Sequence, residues 1–181
     1  MAKSNSNVLT HGLSGKIGNL LVFRQVGGKT IVTGKPKPSR TESDAQKQQR
    51  RRFQSATLYA KSATEEYVEA AKKKGKTPYI IAVADFLNAP SIEHVDVSGY
   101  TGASGDVIVV KVSDDFKVKW VHVNITNSDG SPVEEGEALP DAIGYEWRYT
   151  ATQNNDNLSG DRILISISDT PGNIVTDETV L

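Results

Sequence analysis

Beyond Pro90 the chain is a succession of short segments in which apolar and polar residues alternate: IEHVDV, VIVVKV, KVKWVHVNIT, YEWRYTAT, RILISIS and IVTDETV. Strict alternation sends successive side chains to opposite faces, so each segment suits a half-buried strand. Clusters of Gly, Asp, Asn and Pro separate the segments, and these residues turn a chain back on itself. Six or seven such strands in about 90 residues predict an antiparallel β-sandwich over residues 91–181. Trp120 and Trp147 are its expected core aromatics. In KVKWVHVNIT both parities are partly apolar, so alternation alone leaves the buried face of this strand open.

Ahead of Pro90 the pattern differs. Residues 1–18, rich in Ser, Asn and Gly, read as a flexible arm. NLLVFRQV and KTIVT flank Gly27-Gly28, a two-residue hairpin signal. A hairpin alone is marginal in water, so this one must lie on the rest of the molecule or join a neighbour's sheet. GKPKPS, residues 34–39, then reads as an extended linker. From Thr41 the spacing becomes helical, with Thr41 or Ser43 as cap and Ala45, Gln49, Phe53, Ala56 and Ala60 on one face. Ser62-x-x-Glu65 has the form of a capping box opening a second helix with Tyr67, Val68 and Ala71, stopped at Gly75 after three lysines. Thr77-Pro78 opens a third, mostly buried helix over YIIAVADFLN, with a buried strand as the competing assignment for YIIAV. The expected fold class is therefore α+β. Its segments are an arm, hairpin and linker over 1–40, a basic helical segment over 41–90, and the sandwich.

Ser113-Asp114-Asp115-Phe116-Lys117-Val118 and Asp169-Thr170-Pro171-Gly172-Asn173 resemble the DD-x-x-V and D-x-x-G-N turns of bacterial immunoglobulin-like and fibronectin-like modules. In these turns Asp side chains accept local backbone N–H groups and Gly takes a positive φ. The resemblance covers roughly residues 91–181 and implies an immunoglobulin-like sandwich, without implying a particular activity. The stretch from SGKIGNLLVFRQ to AVADFLNAP is similar to the leading part of uncharacterised bacterial proteins that end in the same module.

Charge divides the chain as sharply as hydropathy does. The first 80 residues carry sixteen Lys and Arg against five Asp and Glu, and the remaining 101 carry five against seventeen. The near-neutral total of −1 thus conceals two opposed halves that attract one another between copies, or attract other charged partners. With no cysteine there is no disulfide, thiolate metal site or Cys nucleophile. The start of the chain lacks the pattern of a secretory signal, and no apolar run approaches the roughly 20 residues of a membrane span. Cytoplasmic synthesis is expected, with release as part of a particle.

No catalytic constellation emerges, and the protein reads as non-enzymatic, without a cofactor or metal. His11, His94 and His122 have no ligand spacing. The neighbouring carboxylates Asp114-Asp115 and Glu134-Glu135 point to opposite faces of a strand and fit turn chemistry better than acid–base work. Calcium at Asp114, Asp115 or Asp169 has suitable oxygen donors but no EF-hand spacing. Gly12-x-x-Gly15-Lys16 and Gly102-x-x-Gly105 lack the context of a phosphate loop.

These features point to a structural protein that associates with itself or with proteins of a larger, phage-like or phage-tail-like particle. Its expected contact residues are Leu20, Leu21, Val22, Phe23, Arg24, Ile31 and Val32 of the hairpin, together with Arg50, Arg51 and Arg52. The alternative partner is nucleic acid, bound through the basic half, including Lys35, Lys37, Arg40, Lys47 and Lys72 to Lys74. A third reading, a carbohydrate module, would use Trp120, Tyr145, Trp147 and Tyr149 as a platform.

Overall fold

The computed structural model describes residues 2–4, 10, 12–35, 41–62 and 65–181, which form two units, Met1–Gln46 and Lys47–Leu181. His11, Lys37, Arg40 and most of the expected linker lie outside the described residues.

The first unit is a sheet of β1 (Ala2–Ser4), β2 (Gly15–Ile17), β3 (Leu21–Val26) and β4 (Lys29–Gly34), in the order β1-β4-β3-β2. The expected hairpin is β3 and β4, closed by the Val26–Lys29 pair. Gly27 and Gly28 both take positive φ, 56° and 72°, the requirement of a tight turn matching the strand twist. The arm reading is corrected: residues 2–4 pair with β4 and residues 15–17 with β3. Pairing on a ready template outweighs the low strand propensity of Ser and Gly.

Most of α1 (Asp44–Ser62) belongs to the second unit; the helix begins at a reciprocal cap, Ser43 N–H donating to Gln46 Oε1 and Gln46 N–H to Ser43 Oγ. Ser62 does not open the next helix. It is the last residue of α1 and donates its hydroxyl to Tyr59 O. Next, α2 (Glu65–Lys74) ends where Lys76 N–H reaches Ala71 O and Gly75 N–H reaches Lys72 O, a Schellman closure. The third helix, α3 (Pro78–Leu87), starts at Thr77, whose hydroxyl accepts from Ile80 N–H. It is a helix, as Thr-Pro indicated, and not a strand.

Ala60, Tyr67, Ala71, Ile81 and Ala82 form the helical core, which Phe116 from the sandwich completes. Phe53 is 51% exposed, and Ala45 and Gln49 are exposed too, so only the second half of the expected α1 face is buried. Geometry explains this, since two helices of 10 residues cannot cover one of 19 along its length.

Residues 91–181 form two antiparallel sheets around one core. One contains β5 (Ser91–Asp96), β6 (Val107–Ser113), β9 (Leu139–Pro140) and β10 (Glu146–Thr150), in the order β5-β6-β10-β9. The other contains β7 (Val118–Thr126), β8 (Pro132–Glu137), β11 (Arg162–Asp169) and β12 (Ile174–Val180), in the order β12-β11-β7-β8. Ile108, Val110, Trp147 and Tyr149 of the first meet Val121, Val123, Ile125, Ile163, Ile165 and Ile167 of the second.

Alternation did not reveal β8, whose PVEEGE sequence is acidic. Its inward residue, Glu134, is buried because Oε2 accepts from Thr152 N–H and Oγ1, both at 2.8 Å. In β7 the ambiguity of parity is resolved by a bulge. Ser168 faces Trp120 and Asp169 faces Val118, leaving Lys119 without an opposite residue. The extra residue returns Val118 to the core alongside Val121 and leaves Trp120 on the opposite face, half-buried. Trp147 is a core aromatic, and Trp120 is not.

Candidate functional site

On the N-terminal sheet, cross-strand pairing places Ile17, Leu21, Phe23, Gln25, Thr30 and Val32 on one face. Gln25 ties Leu13 to this face, its Nε2 donating to Leu13 O and Thr30 Oγ1, both at 2.8 Å. Phe23 and Thr30 are buried, whereas Leu20 at 78% and Ile17 at 56% are the most exposed apolar side chains among the described residues of this unit. Leu21 and Arg24 are also exposed, and Val22, Ile31 and Val32 are half-buried. Thus of the expected contact residues Leu20, Leu21 and Arg24 lie at the surface, and Phe23 lies beneath it.

Arg50, Arg51 and Arg52 are exposed on α1. Arg52 has a local task, its Nη2 donating to Leu87 O at 2.9 Å, where α3 presents C-terminal carbonyls. Lys72 pairs with Glu69, and Lys74 Nζ donates to Asp115 O.

A second constellation lies where the helices meet one end of the sandwich. Asp85 is in α3, Asp114 in the turn between β6 and β7, and Asp169 at the end of β11, with one oxygen of each within 4.8 Å of the others. Local chemistry fixes each carboxylate. Asp114 Oδ2 accepts from the N–H groups of Phe116 and Lys117, at 3.1 and 2.7 Å. Asp169 Oδ1 accepts from Gly172 and Asn173 N–H, and Asn173 Nδ2 donates to Asp169 Oδ2 at 2.6 Å. These are the Asp-led turns recognised in the sequence, and the helical layer docks on them. Asn173 Nδ2 also faces the carbonyls of Asp85, Phe86 and Asn88 at 3.4 Å, and Asn88 Nδ2 donates to Asp115 Oδ2.

Asp85 has no exposed surface. Its Oδ2 accepts from Tyr67, whose hydroxyl also meets that of Tyr59 at 2.8 Å. Since Tyr67 has one proton and gives it to Asp85, Tyr59 is the donor to Tyr67. The remaining oxygens, Asp85 Oδ1 and Asp114 Oδ1, are buried without hydrogen-bond partners. Burial pushes the Asp85 carboxyl up to about 7; the Tyr67 hydrogen bond opposes this, while the charges of Asp114 and Asp169, and an Asp114 carboxyl close enough to share a proton, reinforce it. Burial likewise raises Tyr67 well above the usual phenol range, as does its bond to Asp85.

A cleft of about 620 Å³ opens beside this cluster, with Asp114, Phe116, Lys117, Ile143, Tyr145 and Trp147 among its lining residues. Ile143 is 87% exposed at its edge. The aromatic platform does not assemble, because Trp147 and Tyr149 are core residues of one sheet and Trp120 belongs to the other. His94 and His122 lie on different sheets, and His122 Nε2 has Glu135 Oε2 at 3.7 Å.

No family model, curated protein or solved structure matches this chain. The grouping of the three carboxylates escaped the sequence because they come from positions far apart. The available signal was Asp85 itself, an ionisable residue inside the apolar run YIIAVADFL.

Proposed function

We propose that this protein is a non-enzymatic assembly protein whose N-terminal sheet associates with a second copy of the chain. The observation carrying this reading is the exposure of Leu20, Ile17, Leu21 and Val26 on one small sheet. Exposed apolar side chains on a sheet with open ladder positions favour pairing with another chain. Among the described residues, its own flanking strands satisfy only part of the hairpin edges: β2 pairs with residues 21–23 and β1 with residues 30–32. Charge supports a copy as the occupant, since the first 46 residues carry seven Lys and Arg against two Asp and Glu, and the remaining 135 carry fourteen against twenty. A basic sheet from one copy would meet an acidic unit of the next.

The acidic part is read as an immunoglobulin-like module. Assigning β5, β6, β9 and β10 to strands A, B, D and E, and β7, β8, β11 and β12 to C, C′, F and G, reproduces the A-B-E-D and G-F-C-C′ sheets of that fold. Such a module joined to an associating head suits a component of a larger particle assembled inside a cell. The nucleic-acid reading has less support, because Arg52 and Lys74 bind their own chain's carbonyls.

Sedimentation of the full-length protein across concentration and salt tests the proposal. Concentration-dependent association, weakened by salt and lost in Leu21→Asp, is expected. A monomer under every condition would overturn it, and association that appears only with added duplex DNA would favour the nucleic-acid reading.

A further inference from the structure

We infer that the carboxylates of Asp85, Asp114 and Asp169 form a calcium site that fastens the helical layer to the end of the sandwich. Three carboxyl groups lie within 4.8 Å of one another, and no ion pair with Lys, Arg or His is formed by any of them among the described residues. Asp85 lies in the last turn of α3, where the helix dipole also disfavours an anion. Four interactions could settle such a group: a basic side chain, a shared proton, N–H donors or a cation. No basic side chain supplies the first, and a proton shared between Asp85 and Asp114 is the state that a bound cation would displace.

The distribution of hydrogen bonds points to the cation. Every N–H donor at Asp114 goes to Oδ2, and the hydroxyl at Asp85 goes to Oδ2, which leaves the two Oδ1 atoms buried and unpaired. Leaving a fully buried carboxylate oxygen without a partner is costly, and a native structure ordinarily satisfies such an atom. With Tyr67 holding Oδ2, Asp85 offers Oδ1 to its neighbours. Asp169 contributes a third carboxylate, held rigidly by Gly172 and Asn173. The oxygen-only donor set selects a hard cation, and three protein carboxylates at one point suit calcium, since magnesium keeps several waters and is usually held by one or two carboxylates. The adjoining cleft, which Asp114 lines, gives ion and water a way in. Water completes the shell from that side.

A cation here would join α3, the β6–β7 turn and the β11–β12 turn at one point. Binding would then add to the stability of the helical layer as well as to that of the sandwich.

Full-length protein stripped with EDTA, exchanged into chelator-free buffer and titrated with CaCl2 in a calorimeter provides the test. One saturable site per chain is expected. Calcium at about 100 times Kd should raise Tm by roughly 5–10 °C, with a smaller shift from MgCl2 at the same concentration. Asp85→Asn and Asp114→Asn keep a side-chain oxygen at each position but remove charge, and each should weaken calcium binding at least about tenfold. Terbium offers a readout on the wild-type protein that does not depend on either variant folding. Its emission excited through tyrosine should grow on binding, fall when calcium is added, and drop in Tyr67→Phe. Absence of saturable calcium uptake, unchanged affinity in the folded variants, equal affinity for magnesium, or no tyrosine-sensitised emission would each overturn the assignment.

Discussion

Tyr67 donates its hydroxyl to Asp85 Oδ2 across 2.5 Å, linking α2 to α3 through a bond that neither residue exposes to water. The Tyr67 ring packs on Phe116 with centroids 4.4 Å apart, so the same side chain also joins the helices to the sandwich. Replacing Tyr67 by Phe keeps the ring and removes the donor. In calcium-free buffer at about pH 8, where the Asp85 carboxyl is ionised, the variant should lose about 1.5–3 kcal/mol of stability, the usual range for a hydrogen bond to an ionised group. Urea unfolding measures it, and an unchanged midpoint would show that the bond contributes nothing net.

The two tryptophans should differ. Trp147 is 5% exposed and in the core, so Trp147→Ala is expected to cost about 3–5 kcal/mol. Trp120, half-buried beside the bulge, should cost less than half as much on truncation. Equal losses in guanidinium unfolding would contradict the bulge-shifted parity of β7.

Deleting residues 1–34 should abolish self-association while the second unit still melts cooperatively. The two units have separate internal packing, and both buried clusters of the second unit lie within residues 47–181. Sedimentation and circular dichroism of the truncated chain check this, and a truncated chain that still associates would move the contact surface elsewhere.

Acid should weaken the loop after β5 through Asp106. Its carboxyl lies below the usual range because it accepts from Thr101 N–H, then from the Thr101 hydroxyl, then from Ala103 N–H. A folded-state pKa below the unfolded value of 3.8 binds fewer protons in the native state. The resulting stability is fully present above that value and is lost as pH falls through the folded pKa. Asp106→Asn should therefore be less stable than wild type at neutral pH, the difference shrinking below about pH 4. A difference that stays constant with pH in thermal unfolding would rule out the charge as its source.

Much of this fold was legible because its signals are local. Gly27-Gly28, Thr77-Pro78 and the three lysines before Gly75 each determine backbone geometry through adjacent residues, and each lies where that chemistry requires. The alternating segments likewise became strands. What escaped depends on distant partners. The inward Glu134 of β8 is accommodated because Thr152 donates to its carboxylate, β1 forms because β4 provides an edge, and Trp120 takes its position because Lys119 has no opposite residue on β11. The acidic cluster is the extreme case: Asp114 and Asp169 were recognised as turn residues, while their common neighbour, Asp85, is contributed by a helix.

The dependence of the helices on two later turns also sets an order for folding during synthesis. The helical layer occupies residues 44–87, yet Phe116 completes its core and Asn173 reaches the carbonyl of Asn88 across a sequence separation of 85. Helices can form locally within about a microsecond, whereas contacts between distant residues close late. On the ribosome, the packing of Phe116 on Tyr67 and the hold of Asn173 on the end of α3 therefore wait until both turns have emerged.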